Sequence, residues 1–184
     1  MIKLVPLILA TLMSPSLHAQ DVKKETKGFE TKMEMFSSKL GVITKFIDTK
    51  LPDLKLYFSG AAETRIRKVI SGSESSYFYQ IVNQGKYSTN TASIEYSDLI
   101  EIIKALKALK GSAEQDISAD QEYIENKFVS TDGFQVGYYV SKGKCNWFLR
   151  LEKYTSDNTL FIKDGADLET AFLQAKIKIE ELRK

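Results

Sequence analysis

The sequence is poor in the residues on which most enzymes rely. Its 184 residues include one histidine, His18, and one cysteine, Cys145. A lone cysteine excludes an internal disulfide and any multi-cysteine zinc site. Proline is scarce as well, with three in the chain. An excess of charge of either sign is also missing: 26 Lys+Arg face 24 Asp+Glu, for a net charge of +2. A nucleic-acid-binding domain usually concentrates a basic excess on one face, so this balance argues against that class. No apolar run approaches the roughly twenty residues of a membrane-spanning helix. What is present, 43% hydrophobic and 27% charged residues, is ordinary globular composition.

The longest apolar run lies at the N-terminus. Lys3, the run Leu4–Met13, the break Ser14-Pro15-Ser16 and the small residue Ala19 read together as a secretory signal peptide over residues 1–19. Its removal leaves 165 residues with 25 Lys+Arg against 24 Asp+Glu, and it takes the only histidine. No cysteine stands at the cleavage point to accept a lipid, and there is no Asn-x-Ser/Thr acceptor. The expected location is therefore the periplasm or the exterior, without a lipid anchor.

Residues 20–28 read as a polar lead-in, and residues 29–184 as one domain. A chain of this size buries about 70% of its unfolded surface, so it needs no staple. Phe29, Met33, Phe36, Leu40, Ile43 and Ile47 recur at spacings of three and four, which predicts a helix over residues 29–50 ended by Pro52. Strands are expected over 54–59, 64–71, 77–83 and 87–96. A helix follows over 98–110, capped by Ser97 and stopped by Gly111. After an acidic linker (111–121), strands are expected over 123–130, 134–141, 145–154 and 159–163, then a helix over 168–183 capped by Asp164 or Asp167.

Strands followed by a helix, twice, predict an α+β fold: antiparallel sheets with helices packed on one face, preceded by an N-terminal helix. The halves, about 54–111 and 122–184, match in short stretches. Lys68–Ser71 answers Lys127–Ser130, and Ile81–Lys86 answers Tyr139–Lys144.

Without histidine the exported chain cannot build a Ser-His-Asp or Cys-His site, or a histidine-ligated metal site. No catalytic residue, metal or cofactor is assigned. Cys145 alternates with Trp147, Leu149 and Leu151 on an apolar strand face, which suits a small buried hydrophobe. The linker acids Glu114, Asp116, Asp120 and Glu122 lack the spacing of a calcium loop. The glycines make no phosphate-binding loop.

The strands offer more. Phe134, Val136, Tyr138 and Val140 form one apolar face, suited to lie against helices. Gln135, Gly137 and Tyr139 point the other way, with Phe148 and Arg150 from the next strand. The half-to-half match places Tyr77 and Tyr79 on this second face. Tyrosine and arginine dominate binding hot spots, so Tyr77, Tyr79, Tyr139, Phe148 and Arg150 are the candidate ligand- or partner-binding residues. The expected function is an exported, non-catalytic protein that binds a small-molecule, glycan or protein partner through this face or the seam between halves. The alternatives are a hydrolase working with carboxylates, and a structural or inhibitory protein acting through its N-terminal helix.

Overall fold

The computed structural model describes residues 30–58, 60–85, 88–152 and 158–184. The proposed signal peptide, the lead-in and Phe29 lie outside the described residues. A short helix, α1 (Lys32–Ser37), precedes four strands: β1 (Thr44–Lys55), β2 (Ala61–Ser71), β3 (Glu74–Gln84) and β4 (Thr89–Glu95). Helix α2 (Tyr96–Ile117) follows. The order then repeats with β5 (Tyr123–Val129), β6 (Gln135–Ser141), β7 (Lys144–Arg150), β8 (Thr159–Ile162) and α3 (Gly165–Leu182). Each set of four strands is an antiparallel meander, β1-β2-β3-β4 and β5-β6-β7-β8. The fold is α+β, with helices packed on antiparallel sheets, as the sequence predicts.

The helix expected over residues 29–50 does not form. Only Lys32–Ser37 is helical, and Thr44–Lys55 is the longest strand of the protein. Gly41 adopts a left-handed conformation (φ 77°) and turns the chain back. Beyond it Val42, Ile43, Thr44, Ile47 and Thr49 are β-branched, which favours extended backbone over helix. The three-four apolar spacing was a coincidence across a turn. Pro52 sits inside β1, where the ladder to β2 shifts register between Leu51 and Leu54. A bulge on an edge strand is one of the few places in a sheet where proline is tolerated.

Helix α2 also runs further than expected, through Gly111 to Ile117. A glycine in a helix interior costs about 1 kcal/mol relative to alanine. Anchoring further along offsets that cost. Ala113 is buried, and the Asp116 carboxylate accepts hydrogen bonds from Tyr138 Oη (2.6 Å) and Asn126 Nδ2 (2.7 Å) on the second sheet. The N-cap is Glu95, which accepts from the Ser97 amide at 2.7 Å, in place of Ser97 itself. Asp164 caps α3, accepting from the amides of Ala166 and Asp167.

The helices cross over. Helix α2 leaves the first sheet and packs chiefly on β6 and its neighbours, while α3 returns to β1 and β2 of the first sheet. One continuous core results. It joins Ile66, Tyr79 and Ile81 of the first sheet with Val136, Tyr138 and Leu149 of the second, through Leu106 of α2 and Phe172 of α3. The two units span residues 44–117 and 123–182. The short sequence matches noted above pair β2 with β5 and β3 with β6, one strand out of step with the order of the two meanders.

Tyr138 reports on the α2 anchor. Burial, reinforced by the Asp116 carboxylate at its hydroxyl, pushes its pKa up to about 12 from 10.0. A raised tyrosine pKa favours the protonated folded state. Its contribution is complete below pH 10, the value in the unfolded chain, and is lost as pH rises towards 12. Chemical denaturation should show stability falling across that window, and falling less in Tyr138→Phe. Asp116→Ala should cost about 1–3 kcal/mol at neutral pH, because it strips the partner from a buried hydroxyl.

Candidate functional site

Strand register assigns every side chain to a face. On β6 the pairs Val136↔Leu149, Tyr138↔Trp147 and Val140↔Cys145 look inward to the helices. The alternate pairs, Gln135↔Arg150, Gly137↔Phe148 and Tyr139↔Asn146, look outward. Strand β5 adds Tyr123, Glu125, Lys127 and Val129 to this outer face, all exposed, and β8 adds Thr159 and Phe161. Among the described residues no helix packs on it. The first sheet differs, for α1 lies on its outer side. The Lys32 ammonium there pairs with Asp98 at 2.7 Å, while the Lys32 amide donates to Asp132 at 3.0 Å.

The structure separates the five candidate residues. Tyr139 and Arg150 lie together on the outer face of the second sheet, both half-buried. Phe148 is on the same face but only 3% exposed. Tyr77 and Tyr79 do not belong to it. They lie on the inner face of the first sheet, where the Tyr77 hydroxyl donates to the Leu182 carbonyl at 2.8 Å and the Tyr79 ring meets Phe172 edge-on at 5.4 Å. Tyr79 is fully buried, and its hydroxyl is driven far above its ordinary pKa by desolvation. The misplacement has a clear source. Strand β3 is apolar on both faces, so its own pattern does not name the inner one. The half-to-half match that assigned it compares strands that are not equivalent in order.

The outer face carries aromatic residues that the sequence reading passed over. Tyr123 and Tyr139 have near-parallel rings, 24° apart with centroids at 5.9 Å. Tyr139 meets Phe161 edge-on at 6.4 Å, and Phe161 meets Phe58 at 6.0 Å. Phe58 in turn touches Tyr57 at 4.9 Å. The row thus spans β5, β6 and β8 and continues onto the segment after β1. That segment is held by the Tyr57 amide donating to the Phe161 carbonyl at 2.8 Å, which ties the end of the first sheet to the edge of the second. Tyr123 is 57% exposed and Phe58 79%. A pocket of about 130 Å³ opens beside them, lined by Tyr57, Phe58, Tyr139, Asn146, Phe161 and Lys163, with Cys145, Trp147 and Ile162 also at its wall. The alternation of β5 could have indicated Tyr123. Nothing local could have brought Phe58 to Phe161, which are a hundred residues apart.

Gly137 sets the floor. A Cβ there would lie 2.7 Å from Lys127 Cβ and 2.9 Å from its Cα, and closer still to the Asn126 carbonyl oxygen. Phe148 stands directly opposite on β7. The Arg150 guanidinium lies over the Phe148 ring, 5.7 Å from its centroid. Charges on the face are otherwise matched. Glu125 accepts from Lys127 at 2.7 Å and from the Tyr123 hydroxyl at 2.5 Å. These contacts hold the carboxyl below its usual range and raise the Tyr123 hydroxyl. Cys145 is on the inner face, where burial and then the Asp116 charge push its thiol up, away from the reactive thiolate. Among the described residues there is no cluster of three or more metal-ligating side chains, and no helix is long and apolar enough to cross a membrane.

Gly137→Ala should therefore destabilise the protein by about 1–3 kcal/mol, since the obstructing atoms are largely backbone. Urea denaturation monitored by Trp147 fluorescence would measure it, and near-wild-type stability would contradict the packing described. No protein-family model, curated protein or solved structure matches this chain.

Proposed function

We propose that the chain is an exported, non-catalytic binding protein whose outer second-sheet face takes a glycan. The observation that carries this reading is the aromatic row Tyr123, Tyr139, Phe161 and Phe58 on a face that no described helix covers. Exposed apolar area concentrated in one place marks interaction sites, whereas scattered apolar residues do not. The negative face of an aromatic ring attracts the C–H side of a pyranose, and adjacent amides and hydroxyls serve its hydroxyl edge. Gln135, Asn146 and Ser141 supply such groups on the same face. An extended peptide is a poorer match. It gains main-chain hydrogen bonds at a sheet edge, whereas here the ladder has already used those groups.

Binding without turnover is supported by the state of the face's carboxylate. Glu125 is engaged by Lys127 and Tyr123, and its lowered pKa suits a permanently charged group, not a proton donor. The N-terminal helix on which an inhibitory role would rest is six residues long and clamped by Asp98 and Asp132. Export follows from the N-terminal signal read in the sequence.

An array of neutral and acidic oligosaccharides tests the reading. At least one glycan should bind, and Tyr123→Ala combined with Tyr139→Ala should weaken it about tenfold or more, since each ring removed costs on the order of 1 kcal/mol. Circular dichroism would confirm that the variant is folded. An array without a bound glycan, or binding indifferent to both substitutions, would overturn it.

A further inference from the structure

Arg150 stands out on this face. It is half-buried at the end of β7, between Gln135 on β6 and Thr159 on β8. Among the described residues no carboxylate lies within ion-pair distance of its guanidinium. Its contacts are a 3.4 Å hydrogen bond to Gln135 Oε1, another of 3.4 Å to Thr159 Oγ1, and the Phe148 ring beneath it. Both hydrogen bonds are long for a charged donor, whose bonds to carboxylates run at about 2.7–2.9 Å. The acid on the same face, Glu125, is already taken by Lys127 and Tyr123.

The Glu125 charge reaches Arg150 through space, but no described carboxylate closes an ion pair with it, so the guanidinium keeps donors free for a further anion. The Phe148 ring beneath the guanidinium also limits the freedom to be lost when a planar anion docks. The guanidinium fork matches a carboxylate with two parallel hydrogen bonds, which an ammonium cannot do.

Resting on the glycan reading above, we infer that Arg150 recognises a carboxylate on the bound sugar, so that the face selects acidic glycans built from uronic acids over neutral ones. In this arrangement the row of Tyr123, Tyr139 and Phe161 takes the pyranose faces. Arg150, on the next strand and four residues along the ladder from Tyr139's partner Asn146, takes a carboxylate further along the bound oligosaccharide. The aromatic row supplies affinity for both kinds of sugar, and Arg150 supplies the choice between them.

The test uses oligogalacturonate, oligomannuronate and oligoglucuronate, each as the free acid and as its methyl ester. The ester keeps the ring and the hydroxyls and removes only the charge. Calorimetry on the full chain should show at least one free acid bound about tenfold or more tightly than its ester, in line with a charged hydrogen bond gained. Arg150→Gln should erase that preference while leaving the ester's affinity unchanged. Arg150→Lys should restore only part of it. Tyr139→Ala should weaken acid and ester alike. If acid and ester bind equally and both respond to Tyr139→Ala, the role of Arg150 is overturned and the glycan reading stands. A preference for the acid that survives Arg150→Gln overturns it as well. If no acid or ester binds and the neutral array is also blank, both proposals fall together.

Discussion

One buried ring holds the two halves of this protein in a fixed relation. Phe172 of α3, fully buried, meets Tyr79 of the first sheet at 5.4 Å and Phe134, just before β6, at 6.1 Å. Aromatic pairs of this kind contribute about 0.5–1.5 kcal/mol beyond the area they bury. Their larger effect is geometric. For Phe172 to reach both sheets, α3 must return to the first sheet while α2 crosses to the second, and the inner faces of both must turn towards the helices. The Asp116–Tyr138–Asn126 cluster secures the far end of α2 on the second sheet by the same logic, with hydrogen bonds in place of rings.

The outer face of the second sheet follows from that arrangement. Among the described residues both long helices are committed to the core, and the short helix α1 is committed to the first sheet through Lys32. No helix among the described residues covers the outer side of the second sheet, and aromatic residues gather there in a continuous row, unlike scattered surface side chains. Cross-strand aromatic pairs add some stability wherever they lie, but a contiguous exposed row is the pattern that marks interaction surfaces. The proposed binding role rests on that row and on Arg150, with which no described carboxylate pairs at ion-pair distance.

Much of this was legible in the sequence. Regular alternation in β6 and β7 assigned their faces correctly, because one face of each is apolar and the other mixed. The α+β class followed from the order of strand and helix signals alone. Residues 38–50 were misread for a physical reason: an edge strand has no buried stripe to enforce a period of two, so Phe36, Leu40, Ile43 and Ile47 fell by chance into a helical rhythm. Tyr77 and Tyr79 were misplaced because β3 is apolar on both sides, with α1 covering the second. Phe58 and Phe161 meet only through the junction of the two sheets, a long-range contact that no local pattern encodes.

The central claim is that Tyr123 and Tyr139 occupy an open face while Tyr77, Tyr79 and Tyr138 are locked in the core. Brief nitration of the native protein with tetranitromethane, mapped by peptide mass spectrometry, tests it directly. The account predicts rapid modification of Tyr123, slower modification of Tyr139, and protection of Tyr77, Tyr79 and Tyr138 until the protein unfolds. Modification of Tyr79 as fast as Tyr123, or protection of Tyr123 and Tyr139 in the unliganded chain, would contradict it.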